Sequence, residues 1–145
     1  IIEEHLSVND INFLFEKYVV FTENVKKSII NLGIKNIDQI IDREFSISLE
    51  FIIDLLKHKA IDRFNKISLV LLVIEVYDQQ DVVNCLKLIG KMEFVKLFDP
   101  KLRPKFKANR ENRRLLAAFM EKGYIQDYSL DEKEEYYHYK RYKKK

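Results

Sequence analysis

Apolar residues recur at intervals of three and four along most of this chain, and that spacing constrains its fold more than any other feature. An α-helix gathers positions i, i+3, i+4 and i+7 on one face, so such a run buries a stripe only when wound into a helix. LSVNDINFLFEKYV puts Ile11, Leu14, Phe15 and Tyr18 on one face. Thr22 is placed to cap ENVKKSIINLG, where Val25, Ile29, Ile30 and Leu32 are apolar and Gly33 is expected to stop the helix. IKNIDQIIDRE predicts a short helix around Ile37, Ile40 and Ile41. SLEFIIDLLKHKAIDRF reads as one helix capped by Ser46 or Ser48. Phe51, Ile52, Leu55, Leu56 and Ile61 then face inward, and Asp54, Lys57 and Lys59 mostly outward.

LVLLVIEVY, begun by Ser68, has the β-branched content of a buried strand. A lone strand among helices would lack a partner, so the segment is expected to be a central helix, apolar nearly all round. The run ISLVLLVIEV is about half of the ~20 residues a bilayer-spanning helix needs, so no membrane segment is expected. DQQDVVNCLKLIG repeats the helical pattern with Val82, Val83, Leu86 and Ile89, and MEFVKLFDP is a brief helix ended by Asp99 before Pro100. KLRPKFKA is extended or turn-like. Asn109 can cap RENRRLLAAFMEKG, which stops at Gly123; YIQDY is a short extended piece.

Only three glycines and two prolines punctuate the 145 residues, which favours regular elements joined by short connections. The expected architecture is all-α: a compact multi-helix bundle or a short stack of helical hairpins, with roughly seven to nine helices and a basic C-terminal segment. Residues 1–127 would form one helical domain, and 128–145 a basic, tyrosine-rich C-terminal helix or tail. In LLAAFMEKGYIQDYS the order helix, glycine, extended piece is that of a recognition helix feeding a small wing. A wing needs two hairpin strands, however, and only YIQDY stands before the acidic DEKEE.

Little in the chain points to catalysis. Three scattered glycines cannot form a phosphate-binding loop. His5, His58 and His138 lie far apart with no ligand spacing, so neither a metal nor a cofactor is expected. Asp54 and His58 stand at i, i+4 and read as a surface pair. Glu75 and Asp78 read as the solvated end of the central helix. Cys85 sits in an apolar pattern beside Leu86 and reads as a small core residue. A single cysteine excludes an intrachain disulfide and fits a reducing, intracellular compartment. The chain opens IIEEHL, with neither an initiator Met nor a basic n-region, so it reads as part of a longer polypeptide without a signal peptide, or as one whose start is unobserved.

Charge is where function enters. Residues 1–100 carry 12 Lys and Arg against 16 Asp and Glu, a net of −4; residues 101–145 carry 14 against seven, a net of +7. On the helix beginning near Arg110, Leu115, Leu116, Phe119 and Met120 occupy one side. Arg110, Arg113 and Arg114 take the other, beside Ala117 and Ala118, where Glu111 and Glu121 offset part of their charge. Upstream, Lys101, Arg103, Lys105 and Lys107 alternate along an extended edge. Downstream, EEYYHYKRYKKK interleaves Tyr136, Tyr137, Tyr139 and Tyr142 with Lys140, Arg141 and three final lysines. Arginine forks and helix N-termini suit phosphates, and rings between cations suit exposed bases. Two classes of partner follow. The expected function is a non-catalytic protein-interaction or scaffolding module of a larger protein, docking a negatively charged surface. The alternative is a helical RNA- or DNA-binding module that uses 101–114 and the C-terminal tail. Arg103, Lys105, Lys107, Arg110, Arg113, Arg114, Tyr139, Lys140 and Arg141 are the candidate contacts in either case. KRYKKK also fits a nuclear-import signal, with the cytoplasm the alternative.

Overall fold

The structure, a computed structural model, describes residues 6–142. His5 and the terminal lysines Lys143, Lys144 and Lys145 lie outside the described residues. Among those described, the chain is mostly helical, with eight α-helices, one 3-10 turn and three short strands. It divides into two compact units, one up to Leu69 and one from Val70, the division falling within a helix.

In the first unit, α1 (Val8–Glu16) begins at Ser7, whose hydroxyl accepts the Asp10 N–H at 3.1 Å while the Asp10 carboxylate accepts the Ser7 N–H at 3.2 Å. The helix ends before Tyr18, which lies in the 3-10 turn Tyr18–Val20 and is still buried. Thr22 caps α2 (Glu23–Lys35). Gly33 does not stop that helix; it is buried inside it. A Cβ there would stand 2.6 Å from the Phe51 ring, so the absent side chain is a packing requirement rather than a terminus. α3 (Ile37–Ile41) follows, then α4 (Leu49–Lys57), capped by Ser48 and not Ser46. Phe15 and Phe51 stack at 4.6 Å, with Phe45 edge-on to Phe15 and Tyr18 tilted on Phe51.

The stretch expected as one helix from 48 to 64 is two. His58 has extended backbone, and Asp62 starts α5 (Arg63–Val76) by accepting the Asn65 N–H at 2.8 Å. Ser68 therefore lies inside α5, its hydroxyl donating to the Phe64 carbonyl at 3.2 Å. α5 is helical as expected, and Ile67, Leu69, Val70, Leu72, Val73 and Ile74 are all buried on it.

In the second unit, Asp78 caps α6 (Gln79–Leu88), and α7 (Met92–Leu97) ends before Pro100. β1 (Phe106–Lys107), α8 (Arg110–Lys122), β2 (Asp127–Leu130) and β3 (Tyr136–Lys140) complete it. The expected terminal helix is instead a hairpin. β2 and β3 pair antiparallel from Asp127↔Lys140 to Leu130↔Tyr137, and β3 also pairs with β1, giving the order β1-β3-β2. The all-α expectation fails at this sheet. YIQDY supplied only part of the first strand, and the second is the tyrosine-rich run. Asp131 makes the turn by accepting the Glu135 N–H on its side chain at 2.9 Å and the Glu134 N–H on its carbonyl at 3.1 Å. Phe94, Phe106 and Phe119 form the aromatic centre of the unit.

Candidate nucleic-acid interface

The sheet has two unlike faces because successive residues of a strand point to opposite sides. Phe106 and Tyr137, directly opposite one another, are buried toward the core. The alternate positions are exposed: Lys107 opposite Tyr136, His138 opposite Ser129, and Lys140 opposite Asp127. One face therefore carries two exposed rings and two lysines. Lys105, just before β1, adds a third cation with its ammonium 5.7 Å from the Tyr136 ring.

Arg141 holds the basic segment against β3. Its Nη1 donates to the Pro100 carbonyl at 2.8 Å, and its Nη2 to the carbonyls of Leu102 at 2.5 Å, Asp99 at 3.1 Å and Leu97 at 3.4 Å. Nη2 also lies 3.1 Å from the Tyr139 hydroxyl oxygen, and Nε is buried with no partner. Arg141 is thus a clasp that closes the end of α7 and the loop after it. Its fork is occupied, so of the candidate contacts it is the one least able to bind a ligand, and KRYKKK loses a cation as an import signal.

The clasp brings 103–105 alongside β3. Arg103, Pro104, Lys105, Asp131, Tyr136, Tyr137, His138 and Tyr139 line a groove of about 370 Å³. The Arg103 guanidinium lies 5.8 Å from the Tyr139 ring, which also meets Phe106 edge-on at 5.5 Å. Tyr139 is half-buried and forms a wall.

The α8 arginines fall elsewhere. Arg110 and Arg113 line a second concavity of about 300 Å³, with Ala108, Asn109, Leu130, Glu134 and Tyr137. Arg114 is half-buried; desolvation first, and the neighbouring Arg110 second, draw its pKa below the ordinary value, with Glu111 opposing. It stays protonated at neutral pH. Leu115, Leu116 and Phe119 are buried as expected, but Met120 is 39 % exposed and does not belong to the inward face.

Two residues outside the candidate set fix this geometry. Lys91 is buried and donates to Asn112 Oδ1 at 2.7 Å, with Glu111 at 3.1 Å and Glu93 at 3.6 Å. Asn112, also buried, donates from Nδ2 to the Lys107 carbonyl at 2.9 Å and thereby ties α8 to β1. Spacing gave no warning of either, because a lysine and an asparagine in amphipathic runs look like solvent positions.

In the first unit Asp54 and His58 are not paired. Asp54 accepts the Tyr18 hydroxyl at 2.6 Å, and His58 Nδ1 accepts the Ala60 N–H at 3.1 Å. Burial and then that hydrogen bond raise the Tyr18 pKa far above its ordinary value. Cys85 is fully buried, and burial, with Asp81 adding to it, pushes its thiol up to about 11. Among the described residues, no group of three or more His, Cys, Asp or Glu could hold a metal ion, and no helix is long and apolar enough to cross a membrane. No protein-family model, curated protein or solved structure matches the chain.

Proposed function

We propose that the unit from Val70 on is a non-catalytic module that binds nucleic acid through the exposed face of its sheet. One observation carries this reading: Arg103 and Lys105, from before β1, share a groove with Tyr136 and His138 of the exposed face, the half-buried Tyr139 forming a wall. Cations that follow a phosphate backbone beside rings that can stack on bases are the two components of such sites. Lys107 and Lys140 extend the positive face along the sheet.

Contacts from Arg103, Lys105, Lys107 and Lys140 would give a log–log salt slope of roughly −3 on a single strand, or about a fiftyfold loss of affinity between ~50 and ~200 mM salt. Fluorescence anisotropy with a labelled oligonucleotide measures this. Replacing Lys105 and Lys140 by Ala together should shrink the slope by about 1.4. Replacing Arg110 and Arg113 together should leave it unchanged. The opposite result would move the site to α8.

A second reading, docking of an acidic protein surface, is favoured by the concavity at Arg110 and Arg113. There Leu130, 46 % exposed, lies beside two guanidiniums, which mixes apolar and cationic contact as protein interfaces do. A partner retained after nuclease treatment, and lost on Arg113→Ala or Leu130→Ser, would support it.

A further inference from the structure

We infer that the sheet site takes single-stranded nucleic acid and rejects duplex, an inference that rests on the nucleic-acid reading above. Tyr136 and His138 are two residues apart on one strand and share its exposed face. Such positions stand roughly 6.6–6.8 Å apart. That is about twice the ~3.4 Å repeat along one strand of a duplex. Two neighbouring bases can therefore meet these two rings only when they are unstacked, which a single strand permits and a duplex does not.

Charge points the same way. The hairpin turn carries Asp131, Glu132, Glu134 and Glu135. Asp131 lines the sheet groove and Glu134 lines the concavity at α8. A duplex presents a phosphate about every 1.7 Å of its axis, on two strands. A second strand would add phosphates beside these carboxylates, whereas a single strand running along Arg103, Lys105, Lys107 and Lys140 passes Asp131 in the groove and Asp127 opposite Lys140 with four cations to offset them. The arginines of α8 give no continuous track for that second strand, because Glu134 lies among them. The groove, about 370 Å³, lies within the ~300–1,000 Å³ of small-ligand sites and has room for a base.

The test is anisotropy of the full chain with a fluorescein-labelled pyrimidine oligonucleotide of ~12 nucleotides, and with the same strand annealed to its complement, at ~50 mM salt. The single strand should bind at least about tenfold more tightly than the duplex. Tyr136→Ala should weaken single-strand binding about tenfold, and Tyr136→Phe should restore it. Tyr136 is 38 % exposed, so neither variant disturbs the core. Duplex binding equal to or tighter than single-strand binding would overturn this inference and leave the nucleic-acid reading standing. Single-strand binding indifferent to Tyr136→Ala would remove the stacking role and overturn it too. Binding of neither would overturn both.

Discussion

Arg141 satisfies carbonyl oxygens of Leu97, Asp99, Pro100 and Leu102 with one planar fork, a geometry that an ammonium cannot reproduce. Arg141→Lys should therefore cost about 1–3 kcal/mol of stability, read from the urea midpoint. Amide exchange at 97–107 should also quicken, because those carbonyls brace the loop. Lys91→Met should cost a similar ~1–3 kcal/mol, since the Asn112 side-chain oxygen loses its buried donor. A loss below ~0.5 kcal/mol would show that the network does not hold α8 to β1. Gly33→Ala sets two effects against each other. Helix propensity gains about 1 kcal/mol. A Cβ at 2.6 Å from Phe51 and 3.4 Å from Leu55 forces a buried ring to shift, at about 1–3 kcal/mol. Net destabilisation is expected, and Phe51→Leu in the same chain should relieve part of it.

Cys85 belongs to α6, and its ionisation reports on the packing of that helix. Its native thiol lies at about 11 against an ordinary 9.0. Above pH ~9 the unfolded chain releases this proton while the folded chain keeps it, so stability falls as pH rises. The contribution is whole below about 9 and is lost by about 11, a change of roughly 2–3 kcal/mol. Denaturation curves across that window should be steeper in pH for the natural chain than for Cys85→Ala. Equal slopes would mean that the thiol is not buried.

The helices were readable from sequence wherever caps and apolar stripes agreed, as at Thr22, Asn109 and the stripe of Leu115, Leu116 and Phe119. They were misread where a second start signal stood inside a long periodic run: Asp62 begins α5 six residues before Ser68. β3 was misread for a different reason. Tyr136 to Lys140 alternates exposed and covered positions with a period of two, but the DEKEE before it resembles the acidic first turn of a helix. Asp131 uses its side chain to form a hairpin turn there instead. The basic groove depended on that hairpin, so the cations could be named in advance but not their grouping. Arg103 and Lys105 lie with the tyrosines, Arg110 and Arg113 lie apart, and Arg141 is occupied.

Across the whole molecule, charge is uneven: a net of −4 before residue 101 and of +7 from there on. Within that C-terminal third the exposed candidate cations fall in two groups, Arg103, Lys105, Lys107 and Lys140 at the sheet and Arg110 and Arg113 on α8, and the proposed site uses the first. The most direct test is an amide NMR titration of the chain with a single-stranded oligonucleotide. Shifts should appear together in 103–107 and 136–140, saturate at one concentration, and be absent from residues 6–69. Shifts confined to 110–114, or spread without saturation over both charge regions, would contradict a site built by the sheet.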